Sequence, residues 1–294
     1  MLSNSGLCRP EHSMRFSALL ALALLLPATP GLTQGAKDTL ATTPLAPLTA
    51  RALASHRGIY DLRLDRAREN AGIVEVSGAM LYELIDACES WATHQRFSMT
   101  LRNREGTELE TGSDYATLES MDGRTLRFSL TQVTQGAVTS RVAGQAELAA
   151  DGSGTARYSE SETRELPLPP GTLLPNTHTI AALNAARAGQ RLLVAPIFDG
   201  TSADGAQQTT TFLSPWQGPQ PVPEAPSLST LGSSRMRIAF FEPDAEQPGG
   251  ASTPSYEVSL HYFENGVAGD MIMDFGNFTV RAKLVRLEEA PGGC

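Results

Sequence analysis

Cysteine is scarce in this sequence, with three residues in 294 and none of them in a CxxC pair. The five histidines are scattered and no HExxH stretch occurs, which argues against a zinc site or any other metal cofactor. A GxSxG elbow and a glycine-rich phosphate loop are also missing; Gly152-Ser153-Gly154 follows Asp151 and reads as turn chemistry. Lys and Arg never form a run and the formal net charge is -9, which argues against nucleic acid and anionic membrane surfaces as partners. The hydrophobic fraction is only 41%, a value that suits a sheet with one wet face.

The N-terminus carries the one pronounced apolar run. Met14 and Arg15 precede FSALLALALLLP, which small residues and Pro follow. A basic start and an apolar core of this length read as a secretory signal peptide, too short to span a membrane. Residues 1–36 are therefore assigned to the signal and pre-signal segment, 37–57 to a flexible leader, and 58–294 to a single β-domain. The expected localisation is periplasmic, by secretion through this N-terminal signal peptide. Only Cys88 and Cys294 remain after processing, and an even pair in an exported protein favours a disulfide. Closing a loop of that length stabilises by about 5 kcal/mol in the chain-entropy model.

Alternating apolar and polar residues recur along the chain and predict strands. In Gly72–Asn103, Val74, Val76, Met80, Tyr82, Leu84 and Cys88 share one face. After Glu89 the phase slips, and Trp91, Phe97, Met99 and Leu101 become the apolar set. A two-residue reversal at Glu89-Ser90 would place Cys88 opposite Trp91, and a bulge would also restore the phase. The turn Met121-Asp122-Gly123 is expected to set Leu118 opposite Leu126, because the alternative register places Leu118 against Arg127. TIAALNAARAG predicts a helix between Asn176 and Gly189, with Asn176, Thr177 or Thr179 as cap and Gly189 as stop. Asn265-Gly266 reads as a type I′ hairpin pairing Leu260 with Met271, Val258 with Met273 and Tyr256 with Phe275. Gly276-Asn277 makes the next reversal, setting Val280 beside Met273 and Ala282 beside Met271.

Candidate chemistry is sparse. His261, Asp270 and Ser259 invite comparison with a hydrolase triad. Neighbours two apart on one strand sit roughly 6–7 Å from each other, too far for a hydroxyl–imidazole bond. A solvated ladder of His261, Asp270 and Lys283 on the outer face is the reading preferred here. Glu257 and Asp274, opposite each other on that face, resemble a glycosidase pair only in residue type. No catalytic residue is assigned.

Several stretches together resemble the EipB-like periplasmic cell-envelope integrity family. They are GIYDLRL, SGAMLYE, CESWATHQRF, DYATLESMDGRTLRF, LPPGTLLPNTHT, VAPIFDG and SYEVSLHYFENGVAGDMIMDFGNFTVRAKLVRLE, with Cys294 at the end. They cover Gly58 to Cys294. The resemblance implies an all-β fold: a single many-stranded antiparallel β-spiral or open half-barrel with one short helix. It also implies a Cys88–Cys294 disulfide, a non-catalytic role in Gram-negative envelope integrity, and a periplasmic tetratricopeptide-repeat partner. Alternatives are a carrier of lipid or lipoprotein, holding an acyl chain in the concave face, and an envelope-modifying hydrolase. Met80, Met99, Met271 and Met273 suit either an adaptable trough or plain core.

Overall fold

The computed structural model describes residues 45–160, 163–242 and 253–293. The proposed signal segment, the first part of the leader and Cys294 lie outside the described residues. Eight strands form the first wing: β1 (His56–Ala67), β2 (Ile73–Asp86), β3 (Ser90–Asn103), β4 (Glu108–Ser120), β5 (Thr125–Thr134), β6 (Ala137–Leu148), β7 (Gly154–Tyr158) and β8 (Arg164–Leu168). The helix α1 (Pro175–Arg187) follows. The second wing holds β9 (Leu192–Ile197), β10 (Gln207–Leu213), β11 (Ser233–Phe241), β12 (Tyr256–Phe263), β13 (Ala268–Asp274) and β14 (Phe278–Glu289). All fourteen belong to one antiparallel sheet in the order 8-7-6-5-4-3-2-1-14-13-12-11-10-9.

That order describes a spiral. The chain starts at the middle of the sheet, winds outward through β8, crosses by α1 and winds back from β9 to β14, which pairs with β1. Strand alternation makes the curl possible, because one face can be buried while the other stays wet. In β11, Met236 and Ile238 point inward while Arg235 and Arg237 point out. The two free ends meet on one side. Leu173 donates its N–H to the Pro196 carbonyl at 2.9 Å and accepts one from Phe198 at 3.0 Å. Phe128, Tyr158 and Phe198 pack edge to face across this join, with centroids 5.3–6.4 Å apart.

Five local expectations are corrected. The leader is not free in its described part. Leu53 is buried against Leu84 and Trp91, Leu48 exchanges hydrogen bonds with the Asn184 side chain, and β1 begins at His56. The β2–β3 reversal lies one residue earlier than expected: Asp86, not Cys88, stands opposite Trp91. Cys88 sits in the turn itself at φ 75, with its N–H on the Asp86 carboxylate at 2.8 Å. The side chain of Asp86 thus supplies the turn chemistry that Glu89-Ser90 lacks.

The β4–β5 register is the one that the hydrophobic pattern rejected. Leu118 faces Arg127 and is exposed, while Glu119 faces Leu126 and is 1% exposed. Its carboxylate accepts the N–H groups of Asn176 (2.7 Å) and Thr177 (2.9 Å) and the Thr177 hydroxyl (2.7 Å). The buried acid caps the positive end of α1, and those donors offset part of its desolvation, which still raises its pKa. Hence no side chain of the helix caps its own start: Leu174 is the N-cap and Pro175 occupies the first turn. Gly189 ends the helix at φ 76, as expected. Gly123 is required at the adjoining turn, since it has φ 68 and a Cβ there would lie 2.3 Å from the Thr177 hydroxyl oxygen.

The Asn265-Gly266 turn is not type I′. Phe263 donates to the Val267 carbonyl, so the loop has three residues, and Gly266 alone takes positive φ. An irregularity then sets Gly269 and Asp270 against His261 and restores the expected pairs Leu260–Met271 and Val258–Met273. Tyr256 and Phe275 lie with ring centroids 5.5 Å apart. The β13–β14 pairs Met271–Ala282 and Met273–Val280 stand as expected.

Candidate functional site

Two regions gather functional side chains: a cleft on the outer face of the second wing, and the concavity that the sheet encloses.

The outer cleft contains the residues singled out from sequence. The Pro-rich segment after β10 folds back over β11–β13, so that about 210 Å³ separates Pro221–Ala225 from His261, Phe263 and Asp270. A wider groove of about 450 Å³ continues it past Arg235 to Ser259, Arg237 and Arg281. The solvated ladder is thereby corrected. His261 Nε2 lies 2.9 Å from the Ser233 hydroxyl, not on Asp270, and its ring packs on Phe263 at 4.6 Å. Burial and the nearby Arg235 charge lower the His261 pKa against the pull of Asp270. Asp270 accepts the Leu284 N–H at 3.3 Å, while Lys283 stands opposite Asp61. Ser233 is 2% exposed, so the hydroxyl that does reach an imidazole is closed to a substrate. Glu257 and Asp274 are paired as expected, with Arg237 3.8 Å from Glu257. Among the described residues no cluster of His, Cys, Asp and Glu could hold a metal.

The concavity has two connected parts. The inner part, about 380 Å³, ends against α1 and is walled by Tyr82, Tyr115, His178, Asp199 and Tyr262 together with apolar side chains. The outer part, about 490 Å³, is walled by Phe97, Met99, Met273, Phe275 and Phe278. Gln95, Ser113, Gln132 and Tyr256 border both. Strand pairing explains the polar band: Phe97 faces Ser113, Ser113 faces Gln132, and Gln95 faces Tyr115.

Electrostatics in the concavity follow from burial. His178, on the inward side of α1, lies 3.0 Å from the Thr211 hydroxyl, and desolvation pushes its pKa down to about 4. Burial raises the phenols of Tyr82, Tyr115, Tyr256 and Tyr262, so they remain neutral. Asp199 is also raised by burial, against hydrogen bonds from the Thr201 N–H at 2.9 Å and hydroxyl at 2.7 Å. Sequence reasoning passed over this set. Its signal was present in part: Thr93 and Gln95 interrupt the inward apolar positions between Trp91 and Phe97. What they face comes from the opposite wing.

Cys88 lies in the β2–β3 turn, and β1 alone separates β2 from the C-terminal strand β14. No helix among the described residues is long and apolar enough to cross a membrane.

Comparison with known proteins agrees with this architecture. Residues 47–291 match the model of the EipB-like family. The cell envelope integrity protein EipB of Brucella abortus (strain 2308) is 31% identical over 244 residues, 82% of this chain and 85% of that protein. A crystal structure of a beta-barrel-like protein of domain of unknown function DUF1849, from Brucella abortus, superposes with a TM-score of 0.73 at 32% identity. It covers 81% of this chain and 99% of that one. The chain belongs to the EipB-like family.

Proposed function

We propose that this chain is a non-catalytic periplasmic protein that supports the integrity of the Gram-negative cell envelope by binding a protein partner. The observation that carries the reading is kinship over most of the chain with a protein named for envelope integrity. The site geometry is in keeping with it, since the Ser233 hydroxyl that reaches His261 is buried and closed to a substrate. A periplasmic tetratricopeptide-repeat protein is the partner class that the family resemblance implies. The N-terminal apolar run is the basis for placing the protein in the periplasm. Deleting its coding sequence in the native host is the test. Sensitivity to detergents and to cell-wall antibiotics should rise, and the exported chain should restore resistance. Unchanged sensitivity would remove the envelope role, and recovery of the chain from cytoplasm alone would remove the periplasmic one.

A second reading has its own support. The Met- and Phe-walled outer part of the concavity has the size and apolar lining of a ligand site, which favours a carrier holding an acyl chain. Lipid extraction of protein purified from its own periplasm checks it. Stoichiometric lipid supports the carrier, and its absence from repeated preparations counts against it.

A further inference from the structure

The walls of the concavity are unusual in charge. Among the described residues neither part is bordered by a Lys or an Arg; apart from tyrosines, His178 and Asp199 are the ionisable groups there. His178, with its pKa down to about 4, is uncharged at neutral pH. A carboxylate or phosphate entering here would leave water without meeting a cation, and unpaired burial of an anion is strongly unfavourable. Asp199 already receives two hydrogen bonds from Thr201, which leaves it poorly placed as the counter-ion of a cationic head.

The polar groups that do face inward are of one kind. Gln95 and Gln132 project from β3 and β5 and make no side-chain hydrogen bond to other described residues. Each carboxamide offers two donors and an acceptor. The Tyr256 ring approaches from β12 on the opposite wing, and its phenol, kept neutral by burial, can donate as well as accept. Amide and phenol groups in a ring around a cavity match a head that is itself both donor and acceptor, repeated over several atoms. Hydroxyl groups meet that description. Beyond the band lies the apolar wall of Phe97, Met99, Phe275 and Phe278, which offers area for a hydrocarbon chain.

We propose that the concavity binds an uncharged amphiphile with a hydroxyl-rich head, of the glycolipid type, and discriminates against charged lipids. The head lies at the Gln95–Gln132–Tyr256 band and the chain along the Met99–Phe278 wall. The proposal rests on the carrier reading, in that the concavity must be a ligand site at all.

Isothermal titration of the mature protein with octyl β-glucoside below its micelle concentration tests it, with octanoate, octyltrimethylammonium, 1-octanol and glucose as comparisons. The glucoside should bind at least about 10-fold tighter than octanoate or the ammonium compound, given what an unpaired buried charge costs. Gln95→Leu and Gln132→Leu should each weaken the glucoside by about 3- to 10-fold, the worth of one or two neutral hydrogen bonds, and leave 1-octanol unchanged. Melting curves of both variants confirm that they fold. Charged amphiphiles binding as well as the glucoside would overturn the proposal. So would equal binding of 1-octanol and glucoside with no effect of either Gln variant, an outcome that leaves the carrier reading standing. No binding of any alkyl compound would overturn both.

Discussion

The backbone N–H of Gly293 donates to the carbonyl oxygen of Asp86 at 2.8 Å. Two residues beyond Asp86 stands Cys88, and one beyond Gly293 is Cys294. Ala290 adds a bond to the Ser55 carbonyl at 3.3 Å, so the tail returns across β1 to the β2–β3 turn. The spiral order makes this possible, since only β1 separates β14 from β2.

From that relationship we propose the Cys88–Cys294 disulfide. Thiol titration of denatured, unreduced mature protein should find no free thiol. Cys88→Ser should lower stability by about 2–4 kcal/mol and hasten loss of the protein in the periplasm. Two titratable thiols per chain would refute the pairing.

Glu119 joins the first wing to the start of α1. Replacing it with Ala leaves two helix N–H groups without acceptor, that of Asn176 buried and that of Thr177 partly so, at roughly 1–3 kcal/mol for a buried group left unpaired. Thermal unfolding of Glu119→Ala should drop by several degrees, whereas Glu119→Gln, which keeps an acceptor oxygen, should lose less. Equal melting temperatures for wild type and Glu119→Ala would show that the helix start has another partner.

His178 supplies a pH dependence of known sign. Its folded pKa is lowered from 6.5 to about 4, so the unfolded chain binds a proton that the folded chain refuses. The stability contributed by this group is therefore full above about pH 6.5 and is lost as pH falls towards 4, by up to about 3 kcal/mol. Glu119 and Asp199, raised by burial, act in the opposite direction, losing stability as pH rises through their own ranges. Comparing wild type with His178→Gln separates the terms. Wild type should lose stability relative to His178→Gln as pH falls from 7 to 4, and a constant difference across that range would contradict the assignment.

His261 touches Ser233 and Phe263, and the hydroxyl it reaches is buried. His261→Ala, Asp270→Ala and Ser259→Ala should each restore detergent resistance to a deletion strain as fully as wild type. For His261→Ala a stability loss of about 1 kcal/mol is expected from the broken hydrogen bond. A folded His261 variant that fails to rescue would point to catalysis or partner binding at that cleft.

Much of the fold was legible in the amino-acid sequence. Alternation and glycine turns placed the β12–β14 pairs, because a buried face punishes any one-residue slip along the whole strand. The helix was legible from its Ala-rich run and Gly189, and the family from the order of its blocks. The site was less so, for a physical reason visible in particular residues. Glu119 reads as an outward residue until the positive end of α1, 57 positions on in sequence, arrives to receive it. Asp86 reshapes a turn that its neighbours do not encode, and a bulge at Gly269-Asp270 undoes the shift made by a three-residue loop. Gln95 and Tyr256 come together only because the two wings of the sheet close on each other. Local periodicity determines which face a strand buries when every inward group is apolar. Where an inward group is polar, its place depends on a partner from the far side of the spiral, and tertiary structure alone decides it.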